Sequence, residues 1–150
     1  FGPSALNRFD RDVLLQPGIT HVVVLESIND IGMTTDPSSP SVDELIAGHR
    51  ALIQRAHSHG LSIYGGTLTP FEGALYFSEE GEVKRQAVNQ WIRASGAYDA
   101  VIDFDAVVRD SSNPRRFLPM YHPGDWLHPN DEGYRVMGEA IDLTLFAATP

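Results

Sequence analysis

Apolar residues along this chain gather in three short runs, separated by segments in which they recur at helical spacing. The runs are rich in β-branched residues and end in polar or glycine-bearing stretches, as buried strands of a parallel sheet do. The first run starts at His21 and stops at Glu26. The other two cover residues 61–68 and 100–104, so the pattern predicts three strands.

The segments between the runs carry apolar side chains three and four positions apart, which predicts helices. A first helix is expected over residues 5–14 with Ser4 as its N-cap. A second opens at Ser41, where Glu44 three positions later completes a capping box. Two more are expected from residue 79 and over residues 130–145.

This alternation of strands and helices predicts parallel βαβ units and an α/β fold built as a three-layer sandwich. A chain of 150 residues is long enough for one domain with its own core, and we expect residues 1–150 to form a single domain. Polar loops that would border a substrate crevice connect these elements at residues 33–40, 71–78 and 110–124.

Composition narrows the possible functions. The net charge is -9, with 11 Lys and Arg against 20 Asp and Glu, which argues against a nucleic-acid partner because phosphates must be neutralised by basic side chains. No cysteine is present, so a disulfide, a thiolate metal site and a cysteine nucleophile are excluded. No apolar run approaches the roughly 20 residues of a membrane span.

Two aspartates stand two positions apart, a spacing that is also found between metal ligands. Asp103 and Asp105 flank the end of the third predicted strand. Carboxylates at such strand ends commonly cap turns, and the sequence therefore predicts no metal.

Candidate chemistry lies in two polar segments that are about a hundred residues apart. Asp125 and His128 stand three positions apart just before the last predicted helix, and an aspartate that orients a histidine is half of a hydrolase triad. Asn29 follows the first strand, where its amide could donate to an oxyanion in the crevice at the strand ends. Each residue could instead have a local structural role, as a turn residue or a helix cap.

These two segments, in this order, resemble the SGNH (GDSL-like) hydrolase family of esterases and acylhydrolases. The resemblance implies a flavodoxin-like fold and serine ester hydrolysis of small acyl esters or acetylated carbohydrates, a reaction for which no cofactor is expected. It assigns base and acid catalysis to His128, orientation of the histidine to Asp125 and oxyanion donation to Asn29. The family's nucleophilic serine and a glycine donor are expected upstream of Phe1, so the chain would be the C-terminal part of the family's domain.

Ser27 stands where the family has a glycine. If the first strand continued past Glu26, Ser27 and Asn29 would share one face of it, and Ser27 is therefore an alternative nucleophile. Packing at the strand end is the simpler interpretation of Ser27.

A missing first strand would leave the strand that begins at His21 with an unpaired apolar edge. We expect a missing N-terminal segment, a second chain or a second copy in a homodimer to pair there. A truncated and inactive binding or association module is accordingly the alternative function. The resemblance is compatible with a secreted bacterial protein, but the part that would carry a signal peptide is expected upstream, so the compartment stays unassigned.

Overall fold

A computed structural model describes residues 2–147 of the chain. Three parallel strands, β1 (His21–Val24), β2 (Ser62–Gly66) and β3 (Ala100–Ile102), form a sheet in the order β1-β2-β3. Val24 pairs with Gly65, and Gly66 pairs with Ile102, so the carboxyl ends of the strands meet at one edge of the sheet. The predicted parallel α/β arrangement is confirmed.

The described residues also form helices that connect the strands. Ser4 caps the first helix, and Ser41 with Glu44 forms the predicted capping box of the third. The first helix continues directly into a π-helical segment at Asp10–Leu14, and short 3-10 turns occur at Pro119–Tyr121 and Leu143–Phe146. The helices are α1 (Ala5–Phe9), α2 (Ile28–Gly32), α3 (Val42–Ser58), α4 (Glu79–Ala94), α5 (Phe104–Val108) and α6 (Asp131–Glu139).

Both faces of the sheet are covered. Ile63 and Tyr64 are neighbours on β2, and because successive side chains of a strand point to opposite faces, they enter two separate apolar clusters. The cluster around Ile63 is filled mainly from α3 and α4, and the cluster around Tyr64 from α5 and α6. The predicted three-layer sandwich is therefore confirmed in the described residues.

Three element boundaries differ from the sequence-based expectations. The first strand ends at Val24, and residues 28–32 form a helix instead of a strand continuation. Phe104 opens α5 because the Asp103 carboxylate caps that helix by accepting from the backbone N–H of Ala106. The last α-helix ends at Glu139, and the apolar residues beyond it lie in a 3-10 turn.

Strand β1 lies at an edge of the sheet, where its only pairing among residues 2–147 is with β2. Val23 and Leu25 are 41% and 42% exposed. Arg8 of α1 reaches this edge and donates to Glu26 at 2.7 Å. The edge predicted from the valine-rich run is thus present in the structure.

Candidate active site

Asp125 and His128 form a closely hydrogen-bonded pair at the entrance to α6. The Nδ1 atom of His128 lies 2.6 Å from Asp125 Oδ2, and Asp125 Oδ1 accepts from the backbone N–H groups of Leu127 and His128 at 3.0 and 3.1 Å. Burial of the Asp125 carboxyl acts to raise its pKa, but hydrogen bonds from the side chain and backbone of His128 act in the opposite direction and prevail. The pKa of Asp125 is therefore lowered. An ionised Asp125 keeps the proton on Nδ1 and leaves Nε2 as the acceptor.

A second histidine shapes the loop that carries Asp125. His122 Nδ1 accepts from the backbone N–H groups of Gly124 and Trp126, at 3.0 and 3.3 Å. The ring of His122 also stacks on Trp126, with centroids 4.1 Å apart. Trp126 has a φ of 59°, and its ring packs on Gly73, where a Cβ would lie 2.7 Å from Trp126 Cγ. His122, for which the sequence offers no partner, is therefore the centre of this turn.

Asn29 lies in the first turn of α2, not at the end of a strand. Its Oδ1 accepts a hydrogen bond from the hydroxyl of Tyr76 at 3.0 Å. This contact spans 47 positions of sequence, and no local pattern pointed to Tyr76.

One crevice brings the predicted residues together. A cavity of about 210 Å³ opens between the carboxyl ends of β1 and β2 and the start of α6, and both Asn29 and His128 line it. Its wall is largely apolar, with Glu26, Thr69 and Tyr76 as further polar residues. Asp125 lies behind His128, outside the cavity wall. The apolar lining residues are Leu25, Ile28, Leu68, Leu127, Pro129 and Met137.

Ser27 and Asn29 do not share a face of a strand, because the strand ends before them. The geometry that suggested Ser27 as an alternative nucleophile is therefore wrong. Ser27 is the N-cap of α2 with a φ of 93°, a left-handed conformation that favours glycine. Its buried hydroxyl lies 3.0 Å from His49 Nε2, and His49 Nδ1 lies 2.5 Å from the hydroxyl of Tyr98. The structure thus pairs Ser27 with His49 rather than with His128.

His49 is buried against Trp91 and Tyr98, and this burial lowers the pKa of His49 to about 4. In the unfolded chain the same group titrates near its ordinary value of about 6.5. Between these two values the unfolded state binds more protons, so stability is lost as the pH falls from about 6.5 to about 4, and the loss levels off below.

We expect this titration to remove about 3 kcal/mol of unfolding free energy. Urea unfolding at neutral pH and at about pH 4.5 would measure this loss of stability. A His49→Gln variant should lose much less stability over that interval than the wild type. His59→Gln, which changes the exposed histidine at the C-cap of the helix that carries His49, is the control. Equal losses in the wild type and His49→Gln would contradict this assignment.

A buried ionic cluster fixes the carboxyl end of β2 beneath the crevice. The fully buried Arg85 donates to Glu82, to Asp105 and to the backbone carbonyl of Leu68, at 2.7 to 2.9 Å. Asn89 binds both backbone polar groups of Leu68. Since Leu68 lines the crevice, this cluster holds part of the site wall in place.

The carboxylates that stand at metal-like spacing bind arginines. Arg93 donates to both Asp103 and Asp105, and Arg109 donates to Asp105 at 3.0 Å. Within residues 2–147, no three His, Asp or Glu side chains are grouped so that they could hold a metal ion. None of the helices in the same residues is long and apolar enough to cross a membrane.

An oriented histidine, an asparagine side chain and a crevice at the carboxyl end of a parallel sheet are features found in hydrolase-type α/β domains. The chain belongs to the GDSL-like Lipase/Acylhydrolase family, whose sequence model matches residues 1–136. The family resemblance drawn from the Asn29 and His128 segments is confirmed. The comparison with curated protein sequences found no significant match.

Solved structures share this fold at low sequence identity. A protein of Bacteroides fragilis has 23% identity and a TM-score of 0.75, over 90% of this chain and 64% of its own length. A GDSL-like lipase from Bacteroides thetaiotaomicron has 23% identity and a TM-score of 0.69, over 90% and 65%. A catalytic mutant of an acetylxylan esterase from Geobacillus stearothermophilus has 20% identity and a TM-score of 0.62, over 91% and 63%. The chain therefore spans slightly less than two thirds of these three proteins.

Proposed function

We propose that this domain supplies the histidine, the aspartate and one oxyanion donor of a serine ester hydrolase. The observation that carries the proposal is the 2.6 Å contact between His128 Nδ1 and Asp125, in a crevice that Asn29 also lines. No hydroxyl group of residues 2–147 forms a hydrogen bond with His128. In line with the resemblance to the family, the proposal places the nucleophilic serine upstream of Phe1.

In the proposed reaction, the serine hydroxyl attacks the ester carbonyl carbon while His128 Nε2 removes its proton. The carbonyl oxygen becomes an oxyanion, to which the Nδ2–H of Asn29 donates. His128 then protonates the alcohol oxygen as the carbon–oxygen bond breaks, which leaves an acyl-serine. A water molecule, deprotonated by the same Nε2, then attacks the acyl carbon, and His128 returns this proton to the serine oxygen as the bond between that oxygen and the acyl carbon breaks and the acid leaves. Asp125 stabilises the imidazolium in both steps.

The size and lining of the crevice support a short acyl group as the substrate's acid part. A cavity of about 210 Å³ with mostly apolar walls has room for an acetyl or similar group. The likeness to an acetylxylan esterase is compatible with an acetylated carbohydrate as the alcohol part.

A p-nitrophenyl ester series tests this substrate class. With the whole protein that carries this domain, turnover should be fastest with the acetate and should fall steeply from the butyrate to the octanoate. Acetate should also be released from acetylated xylan. The absence of turnover with every ester, or a preference for octanoate, would contradict the proposal.

Replacing Asn29 with alanine should lower kcat by about 10² to 10³, because the amide donates mainly to the charge that develops in the transition state. KM should change little, and steady-state kinetics with p-nitrophenyl acetate would separate the two parameters. Asn7→Ala, which removes an exposed asparagine side chain of α1, is the matched control. A variant of Asn29 with the wild-type kcat would exclude its oxyanion role.

The exposed edge of β1 supports a second candidate function, an association module. Exposed backbone groups and the apolar side chains of Val23 and Leu25 could pair with a missing N-terminal segment, a second chain or a second copy. Sedimentation velocity over a range of concentrations, together with the esterase assay, distinguishes these functions. A protein that stays monomeric and cleaves esters would exclude the homodimeric module.

A further inference from the structure

Only one end of an asparagine amide can stabilise an oxyanion. The Nδ2 atom donates, whereas Oδ1 only accepts and would repel a negative charge. A rotation of the Asn29 amide by half a turn would therefore replace a stabilising group by a repelling one. The hydrogen bonds around Asn29 decide which end points where.

Tyr76 is the side chain that binds the accepting end. Its hydroxyl donates to Asn29 Oδ1 at 3.0 Å, which directs Nδ2 away from Tyr76. Burial, with a further contribution from the negative charge of Asp125, raises the pKa of Tyr76. The hydroxyl therefore stays protonated, and able to donate, throughout the neutral pH range.

The ring of Tyr76 is itself fixed against the helix that carries Asn29. A Cβ on Gly32, the last residue of α2, would lie 2.1 Å from Tyr76 Cδ2, so the ring packs directly on the backbone of this helix. On another side the ring contacts Phe71, with centroids 6.2 Å apart, and Phe71 is fully buried. Tyr76 thus has a defined position relative to both Asn29 and the crevice that it lines.

We infer that Tyr76 is a positioning residue, which holds the amide of Asn29 with its Nδ2–H groups toward the crevice. The inference rests on the proposed ester hydrolysis, because orientation of the amide affects the rate only where an oxyanion develops. It adds a residue to the site that acts through Asn29 and need not touch the substrate.

Steady-state kinetics of Tyr76→Phe give the first test. We expect kcat to fall about tenfold with KM unchanged. This loss is smaller than the fall in kcat of about 10² to 10³ that is expected when the donor itself is removed in Asn29→Ala. Gly32→Ala keeps the hydroxyl but displaces the ring, so it should produce the same loss in kcat. The matched controls are Tyr121→Phe, outside the crevice, and Gly138→Ala, a helical position with no atom within 4 Å of the added Cβ.

The second test does not depend on turnover. In ¹⁵N-labelled protein, the side-chain amide resonances of Asn29, assigned by their absence in Asn29→Asp, should shift in both Tyr76→Phe and Gly32→Ala and in neither control. If no ester is cleaved but these resonances shift, the positioning contact stands and the proposed function fails. Unshifted Asn29 resonances, or a Tyr76→Phe enzyme with the wild-type kcat, would overturn the inference.

Discussion

Replacing His128 with alanine is expected to lower kcat for ester hydrolysis by about 10⁴ to 10⁶, because the proposed mechanism assigns removal of the nucleophile's proton to the imidazole of His128. The exposed position of His128, with 66% of its side chain accessible, means that the folded structure should be little affected. Stopped assays with p-nitrophenyl acetate over long incubations would measure the residual rate.

Asp125→Asn should lower kcat by about 10⁴. In this variant the base is still present, and the loss would reflect the wrong tautomer of His128. His59→Ala is the matched control, because His59 is exposed and its ring forms hydrogen bonds with the neighbouring Arg55 and Ser58. If His128→Ala retained more than about a tenth of the wild-type rate, the catalytic role of this histidine would be excluded.

Replacing Arg85 with methionine is expected to destabilise the fold by about 3 to 5 kcal/mol. The substitution removes the buried cation while Glu82 and Asp105 remain in the interior with fewer donors. It also removes one of the two side-chain donors to the backbone carbonyl of Leu68, so the wall of the crevice should loosen with the fold. Urea unfolding followed by far-ultraviolet circular dichroism would measure the change.

Arg135→Met is the matched control for this prediction. Arg135 also binds two carboxylates, those of Glu132 and Glu139, but it is half exposed on α6. Exposed ion pairs contribute about 1 kcal/mol or less, so this variant should be nearly as stable as the wild type. Equal losses in the two variants would show that burial of the Arg85 cluster has no special effect on stability.

The parts of this site that lie close in sequence could be predicted from it. Asp125 and His128 are three positions apart, and their contact follows from the turn that precedes α6. The capping box of Ser41 and Glu44 is equally local. Hydrophobic periodicity located the strands and the long helices, because burial of one face imposes that period on the sequence.

The parts that depend on distant contacts could not be predicted. The φ of 93° at Ser27 ends the extended segment and starts α2, and its hydroxyl is held by His49, 22 positions away. Tyr76 reaches Asn29 over 47 positions, and Arg85 reaches Asp105 over 20. Such contacts are fixed by the packing of whole elements, which a local pattern of polar and apolar residues does not contain.

The most direct test of the proposed mechanism is intact-mass spectrometry of the whole protein after incubation with a fluorophosphonate, which reacts with an activated serine. We expect one adduct per chain, on a serine upstream of Phe1, and no adduct on the same time scale in His128→Ala. An adduct on Ser27, or labelling of His128→Ala at the wild-type rate, would contradict the pairing of His128 and Asp125 with an upstream nucleophile.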